Sequence, residues 1–304
     1  MLTATFLGTG AATPTIDRNV SGLAVQREGE TILFDLGEGS QRQMMRYGVG
    51  FSFAEIFFSH YHADHILGVT GLLRTMGLQD RSAPLTLYGP RNAQRILGAC
   101  ISLGIERNKF PIEIREIRPG DRLTRDAYDI VVFETDHRPD TVGYALVEHT
   151  RLGRFNPDRA RELGVPEGPL WGRLHKGESI VLEDGRGVSP ADLVGSPRRG
   201  RTLVYSGDTR PSLELIQVAR GADLLIHEAT FGSDELERAR ETGHSTAAEA
   251  ARVAVEAGVR RLALTHISAR YTRDAPELLA EARAIFPETI VARDGMVIDV
   301  PFPE

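Results

Sequence analysis

Short apolar runs separated by turn signals dominate the first half of the chain. Runs at residues 3–7, 23–26 and 31–36 have strand length, and the last two flank the turn Arg27-Glu28-Gly29-Glu30, which predicts a hairpin. The run at 55–59 reads as a buried strand leading straight into a histidine-rich stretch at 60–65. A helix is expected from there to about Leu78, where 79–84 breaks it. Strands are expected at 84–88, 112–117, 128–133 and 142–148, with a helix over 91–103. The second half repeats the alternation: strand 202–206, helix 213–220, strand 223–227, helix 246–257, strand 261–265, helix 275–285, and closing strands near Ile290 and Val297. This pattern predicts an α/β protein whose sheets are covered by helices. No repeat of 20–50 residues is present, which excludes solenoids and propellers.

Residues 149–201 break the pattern with nine glycines and five prolines. A connection of that length inside a compact protein points to an extended arm or flap, here inserted in a single domain spanning 1–304. It carries ten Arg and Lys against seven Asp and Glu, although the whole chain has a net charge of −6. The acidic total argues against nonspecific avidity for polyanions, while the arm can still make local phosphate contacts. With 41% hydrophobic and 26% charged residues over 304 positions, disordered and collagen-like classes are excluded. The single cysteine, Cys100, excludes an internal disulfide and a cysteine-based zinc site, and reads as a small core residue. The first residues lack a basic segment followed by an apolar stretch, and no apolar run approaches the roughly 20 residues of a membrane span. The expectation is a cytoplasmic protein without membrane contact.

His60, His62, Asp64 and His65 form H-x-H-x-D-H directly after a buried-looking strand. Imidazole nitrogen and carboxylate oxygen suit Zn²⁺. Four such donors in six residues cannot all serve one tetrahedral ion without strain, so two ions are the natural reading. Further donors recur at one structural address, the loop just after a predicted strand: His137, Asp208 and His266. Asp35, closing its strand, is expected to orient the metal loop. His227 reads as a core residue, and His149 and His175 as solvated or locally bonded. Trp171 in the arm can stack on a base or pack a small local core. Gly8-Thr9-Gly10-Ala11-Ala12 resembles the start of a dinucleotide fingerprint but has Pro14 close behind and no following helix, so it reads as a tight turn. Ser206 and Ser245 have histidine neighbours without a nucleophile elbow.

These residues resemble the ribonuclease Z family of the metallo-β-lactamase superfamily. The resemblance runs over nearly the whole chain, through FLGTGAATP, DLGEGSQRQ, FFSHYHADHILGVTGLL, LYGP, GVPEGPLWGRLHKGE, VYSGDTR, HEATF, GHSTAAEAA and LTHIS. It implies a four-layer αββα sandwich of two mixed sheets with an inserted flexible arm. It also implies a zinc-dependent endoribonuclease that removes the 3′ trailer from precursor tRNA, cutting after the discriminator base with a metal-activated bridging water. By motif, one of two Zn²⁺ per subunit falls on His60, His62, His137 and Asp208. The other falls on Asp64, His65, His266 and the shared Asp208. Asp64 matches the family's proton acceptor, and His244, oriented by Glu228, its proton donor. The segment around His244 can also be read as a plain helix entry capped by Ser245 or Thr246.

The resemblance further implies a homodimer in which the arm of one subunit grips tRNA whose 3′ end lies in the other, with no DNA partner. Gly168 and Pro169 in the arm, with Arg18 and Asn19 near the start, fall on its substrate-binding positions. One departure stands in Pro14-Thr15-Ile16-Asp17-Arg18-Asn19: the family's P-x-K-x-R-N has a cation where this chain has Ile16, and Asp17 adds negative charge. Two rivals remain, a hydrolase of the same fold acting on a small ester and an RNA-binding scaffold with a dead site. The basic arm disfavours the first, and a complete set of ligand positions disfavours the second.

Overall fold

A computed structural model describes residues 1–105, 108–138 and 140–303. Met1–Val147 and Arg201–Phe302 form one compact unit, the body, and Glu148–Gly200 forms another. In the body the first sheet is built from β1 (Leu2–Gly8), β2 (Gly22–Arg27), β3 (Glu30–Leu36), β4 (Glu55–Phe57), β5 (Leu85–Gly89) and β6 (Ile112–Glu116). The last strand, β16 (Val297–Asp299), joins it at the edge, giving the order β16-β1-β2-β3-β4-β5-β6. Pairs from β16 to β3 are antiparallel and those from β3 to β6 parallel. Between β2 and β3, Glu28 and Gly29 take positive φ (48° and 90°), the geometry that lets a two-residue turn follow the strands' own twist.

The second sheet takes β7 (Arg122–Thr124), β8 (Tyr128–Glu134), β9 (Val142–Glu148), β12 (Thr202–Tyr205), β13 (Leu224–Glu228), β14 (Leu262–Thr265) and β15 (Thr289–Val291). Its order is β15-β14-β13-β12-β9-β8-β7; β12 to β15 run parallel and β9 pairs β12 antiparallel. The inner faces of both sheets meet in one core that includes Phe6, Phe34, Phe57, Tyr144, Tyr205 and Leu224. Phe57 stacks on Tyr88 with centroids 4.5 Å apart. Helices α1 (Ser40–Arg46), α2 (Ala63–Ile66), α3 (Gly68–Leu78) and α4 (Ala93–Ser102) lie along the first half of the chain. Leu72 and Met76 of α3 and Leu97 of α4 share an outer core with Leu33, Ile56 and Leu87. Helices α7 (Leu213–Val218), α8 (Leu236–Thr242), α9 (Ala247–Ala257) and α10 (Pro276–Arg283) follow in the second half. There Leu215, Ala254 and Leu278 pack with Val204, Leu225 and Leu264. Along β3, Ile32 and Phe34 enter the inter-sheet core while Leu33 enters the outer one, so both faces are buried and the strand is continuously apolar. These layers are the two mixed, helix-covered sheets expected.

Most expected elements appear with ends shifted by a residue or two. Helix α9 starts one residue later than read because Thr246 is its cap, in a reciprocal pair with Glu249. Helices α1 and α8 were not expected; each is seven residues long with few buried positions. No helix among the described residues is long and apolar enough to cross a membrane.

The Glu148–Gly200 unit corrects the reading of an extended arm. It folds around its own core of Ala160, Val165, Leu174, Ile180, Val188 and Leu193. Two helices, α5 (Pro157–Glu162) and α6 (Pro169–His175), and a hairpin of β10 (Ile180–Val181) and β11 (Gly187–Val188) supply it. Pro157 and Pro169 stand in the first helical turn, where a missing N–H costs nothing, so these prolines start helices instead of preventing them. Trp171 packs: its ring lies 5.3 Å from that of Phe155 and its Nε1 donates to the Val165 carbonyl at 3.2 Å. His175 is locally bonded, its Nε2 lying 2.9 Å from the Gly153 carbonyl. Arg201, counted with the arm by sequence, belongs to the body and is buried there. With Arg201 out and Glu148 in, Glu148–Gly200 has nine basic and eight acidic residues, and the excess falls from three to one.

Candidate metal centre

The expected donors leave the ends of strands on one side of the body. β4 leads through Ser59 to His60 and His62, and α2 turns Asp64 and His65 back toward them; β8, β12 and β14 deliver His137, Asp208 and His266. The approach is close enough to demand glycine. A Cβ on Gly37 would stand 2.2 Å from the Asp64 carbonyl oxygen, and one on Gly207 (φ 58°) 2.9 Å from the Ser59 Cβ.

His60, His62, His137 and Asp208 place one donor atom each within 4.8 Å of all the others, and so do Asp64, His65 and His266. His60 Nε2 lies 2.9 Å from His62 Nδ1, which is 3.3 Å from His137 Nε2. Asp208 Oδ2 reaches both groups, at 3.6 Å from His60 Nε2, 3.4 Å from His65 Nε2 and 3.4 Å from His266 Nε2. Asp64 Oδ2 lies 3.3 Å from His266 Nε2.

Four imidazoles are anchored through Nδ1. His65 Nδ1 bonds Asp35 Oδ2 at 2.9 Å and His137 Nδ1 the Gly243 carbonyl at 2.7 Å. His60 Nδ1 bonds Ser59 Oγ at 3.0 Å, and that hydroxyl donates to Asp35 Oδ2 at 2.7 Å. His266 Nδ1 bonds Thr230 Oγ1 at 2.8 Å, and that hydroxyl donates to Glu228 Oε2 at 2.9 Å. Since each hydroxyl proton is already committed, each must accept from its histidine. All four rings thus carry a proton on Nδ1 and turn Nε2, the atom ligation requires, toward the centre. Burial holds His60, His62 and His137 below the ordinary histidine pKa, which keeps them neutral. At His65 burial opposes protonation, but Asp208 and Asp35 outweigh it and raise the pKa; the same carboxylates favour a cation at its Nε2. Five convergent imidazoles, two carboxylates among them and the Nδ1 anchoring of four of the rings fit a metal cofactor.

Asp35 orients the metal loop from a left-handed backbone position (φ 53°). Fully buried, it accepts from Ser59 N–H (2.8 Å), Ser59 Oγ (2.7 Å), His65 Nδ1 (2.9 Å) and Tyr205 OH (2.8 Å). Asp35→Ala leaves these donors unpaired in the core. Denaturant unfolding of the metal-free protein is expected to show a loss of about 3–5 kcal/mol. A loss under about 1 kcal/mol would remove Asp35 from this role.

His244 lines the same cleft, about 470 Å³ in volume, together with Ala12, Asp64, His137, Phe231 and Arg238. Its Nδ1 lies 2.8 Å from Glu228 Oε1. Glu228 is buried and also accepts from Thr209 N–H and Thr230 N–H, at 3.2 Å and 3.0 Å. Burial works against a charged His244, yet the Glu228 carboxylate raises its pKa to about 9. His244 also lies close enough to Asp208 and His266 to share a donor group with them. The cap of α9 is Thr246, and Ser245 Oγ donates to the Thr209 carbonyl at 2.6 Å, so capping does not account for His244. His227 is a core residue with its Nδ1 2.6 Å from the Glu228 carbonyl.

Arg18 and Asn19 depart from their expected placement at the substrate. Arg18 is only 3% exposed, and its guanidinium donates to Thr9 Oγ1, the Ala292 carbonyl and the Arg273 carbonyl at 2.6–2.7 Å. Neither residue lines the cleft. Gly168 and Pro169 are exposed at the start of α6 in the other unit. Sequence reasoning missed Ser59 and Thr230, whose signal was adjacency to the motifs SHYH and HEAT. It also missed Tyr205, for which no local signal exists.

Residues 2–154 match the family model described as Anti-Pycsar protein Apyc1, and residues 179–267 match that of the Beta-lactamase superfamily domain. A Ribonuclease Z of Gemmatimonas aurantiaca is 57% identical over 98% of this chain and 96% of its own. One of Myxococcus xanthus is 55% identical over 99% and 98%. The crystal structure of human tRNase Z, short form, superposes with a TM-score of 0.72 at 27% identity, covering 99% of this chain and all of its own. With the layered sheets, the donor groups at the strand ends and this full-length identity in hand, the chain is an enzyme that belongs to the ribonuclease Z family.

Proposed function

We propose that this enzyme removes the 3′ trailer from precursor tRNA in the cytoplasm, leaving a 3′-hydroxyl on the tRNA and a 5′-phosphate on the trailer. The observation that carries the reading is the 57% identity to a ribonuclease Z over nearly the full length of both chains. His60, His62, His137 and Asp208 would hold one Zn²⁺, and Asp64, His65 and His266 a second that shares Asp208. When bound, such ions lower the pKa of a water and neutralise charge on the phosphoryl oxygens.

The remaining chemistry belongs to the chain's own groups. Asp64, whose Oδ2 accepts from Ala12 N–H at 2.8 Å, takes the proton of the attacking water. As the water oxygen bonds to phosphorus, the bond from phosphorus to the tRNA 3′ oxygen breaks. The departing oxygen takes a proton from His244, whose Nδ1 is engaged by Glu228 so that Nε2 is left to donate. The Glu148–Gly200 unit, with Gly168 and Pro169, grips the tRNA across a homodimer. Arg18 and Asn19 support the loop after β1 and do not touch the tRNA.

The test is 3′-end mapping of two precursor tRNAs, with and without an encoded CCA, after incubation with zinc-loaded protein. We expect a single cut after the discriminator base, abolished by chelator and restored by zinc. The comparison of the two substrates reads the effect of the fully exposed Ile16. Hydrolysis of a small phosphodiester with neither tRNA cut would keep the centre and sink the substrate.

A further inference from the structure

Asp294 stands outside the cleft, in the turn between β15 and β16, and is half-buried. Its Oδ1 accepts from Thr9 Oγ1 at 2.8 Å. Its Oδ2 accepts from Asn19 N–H at 2.6 Å and from Gln43 Nε2 at 2.9 Å. Gln43, on α1, also donates to the Leu7 carbonyl at 3.0 Å. Arg18 completes the network, bonded through Nη1 to Thr9 Oγ1 and the Ala292 carbonyl and through Nη2 to the Arg273 carbonyl. A carboxylate, a carboxamide and a guanidinium thus tie the loop after β1 to α1 and to the two segments that flank α10.

That loop bears on one half of the metal centre. The Asn19 carbonyl accepts from Thr9 N–H and Gly10 N–H at 2.9 Å and 2.8 Å, which closes the base of the loop. Ala11 N–H donates to the Ile267 carbonyl at 3.0 Å, and Ile267 N–H to the Thr9 carbonyl at 2.8 Å, so the residue after His266 is held from both sides. Ala12 N–H then donates to Asp64 Oδ2. Ala12 sits at φ 62°, a left-handed conformation that alanine keeps only where its surroundings hold it. His60 and His137, by contrast, are anchored by Ser59 and the Gly243 carbonyl, with no bond to this loop among the described residues.

We propose that Asp294 is a positioning residue: through Thr9, Asn19 and the Arg18-anchored loop it aims Ala12 N–H at Asp64 and seats Ile267 beside His266. It thereby sets the geometry of the Asp64–His65–His266 half of the centre and leaves the His60–His62–His137 half alone. This rests on the two-ion reading given above.

The experiment titrates metal-free, full-length protein with zinc against a chromophoric chelator, alongside thermal melts. The variants are Asp294→Ala, Gln43→Ala and Ile298→Ala, the last a cavity in the neighbouring β16 core as a control for lost stability. Asp294→Ala is expected to weaken one of two zinc ions by roughly 10–100-fold, the range seen when groups behind metal ligands are removed. The other ion should stay within about twofold, a split that destabilisation alone does not produce. Gln43→Ala, which removes one bond of the network, should show the same selectivity with smaller size, and serves if Asp294→Ala does not fold. Added to Asp64→Ala, the Asp294 change should act with reduced size, since only the route through Ile267 and His266 is left; added to His137→Ala it should act in full. The idea is overturned if both affinities move together, as in Ile298→Ala, or if neither moves. Should the unaltered protein bind fewer than two ions, the two-ion reading fails first and this inference goes with it.

Discussion

Asp208→Ala is expected to yield a protein that still binds precursor tRNA but no longer cuts it, with turnover reduced on the order of 10³-fold or more. Among the described residues, Asp208 is the one carboxylate whose oxygen lies within 3.6 Å of imidazoles in both donor groups. In the proposed two-ion reading, removing it would take a ligand from each ion, an effect of several kcal/mol on the transition state. Binding should stay within a few-fold, because the proposed grip on tRNA is through its backbone and shape and does not use this oxygen. Burial opposes ionisation of Asp208, but His266, His65 and His60 hold its pKa well below the usual carboxylate range. Loss of that charge leaves the imidazoles uncompensated, so Asp208→Asn and a melting curve should accompany the measurement. Single-turnover cleavage and filter binding on zinc-equilibrated protein check it. Near-normal turnover in a folded, zinc-loaded Asp208→Ala protein would falsify the shared-ligand assignment.

Excising the Glu148–Gly200 unit should separate substrate grip from chemistry. β9 and β12 are adjacent antiparallel strands with Val147 opposite Thr202, so keeping Glu148 at the end of β9 and putting an Asn-Gly turn in place of residues 149–200 closes them as a two-residue hairpin. Precursor-tRNA cleavage is expected to fall about 100-fold, equivalent to about 3 kcal/mol of lost binding, while hydrolysis of a small phosphodiester changes less than about threefold. The salt dependence of tRNA binding should be modest. The unit's net excess is one positive charge, and Arg159, Arg161, Arg173 and Arg186 are each paired with a nearby carboxylate. If the unit reaches across a homodimer, mixing excised subunits with Asp208→Ala subunits should restore cleavage, since one of the two combined sites is then whole. Parallel loss of both activities would make the unit structural, and undiminished tRNA cleavage would remove it from recognition altogether.

What could be read from the residues alone was whatever local spacing controls. His60, His62, Asp64 and His65 lie within one strand end and one helical turn, so their convergence needs no distant information. His137, Asp208 and His266 were legible because each follows an apolar run of strand length, and parallel strands in one sheet deliver their ends to one side. The two helix-covered sheets followed from the same alternation. The short α1 and α8 did not, because seven residues hold too little periodicity to stand out.

Contacts between distant segments belonged to the tertiary structure. Asp35 was placed correctly as an orienting group, yet its bond to Tyr205 spans 170 positions and leaves no trace in either neighbourhood. Arg18, in a loop with Pro14 and Asn19, has the composition of a solvent-facing cation. It is instead buried by carbonyl acceptors 274 and 255 residues away. The glycines and prolines of the Glu148–Gly200 unit suggested a bare arm, and only its own small core shows that they cap and start helices. Residue type and spacing therefore determined which atoms could bind metal and on which strand ends they sit. Folding decided which nitrogen each histidine presents, which charges are already spent, and where the chain closes a second core. Those outcomes depend on partners that a one-dimensional pattern cannot bring together.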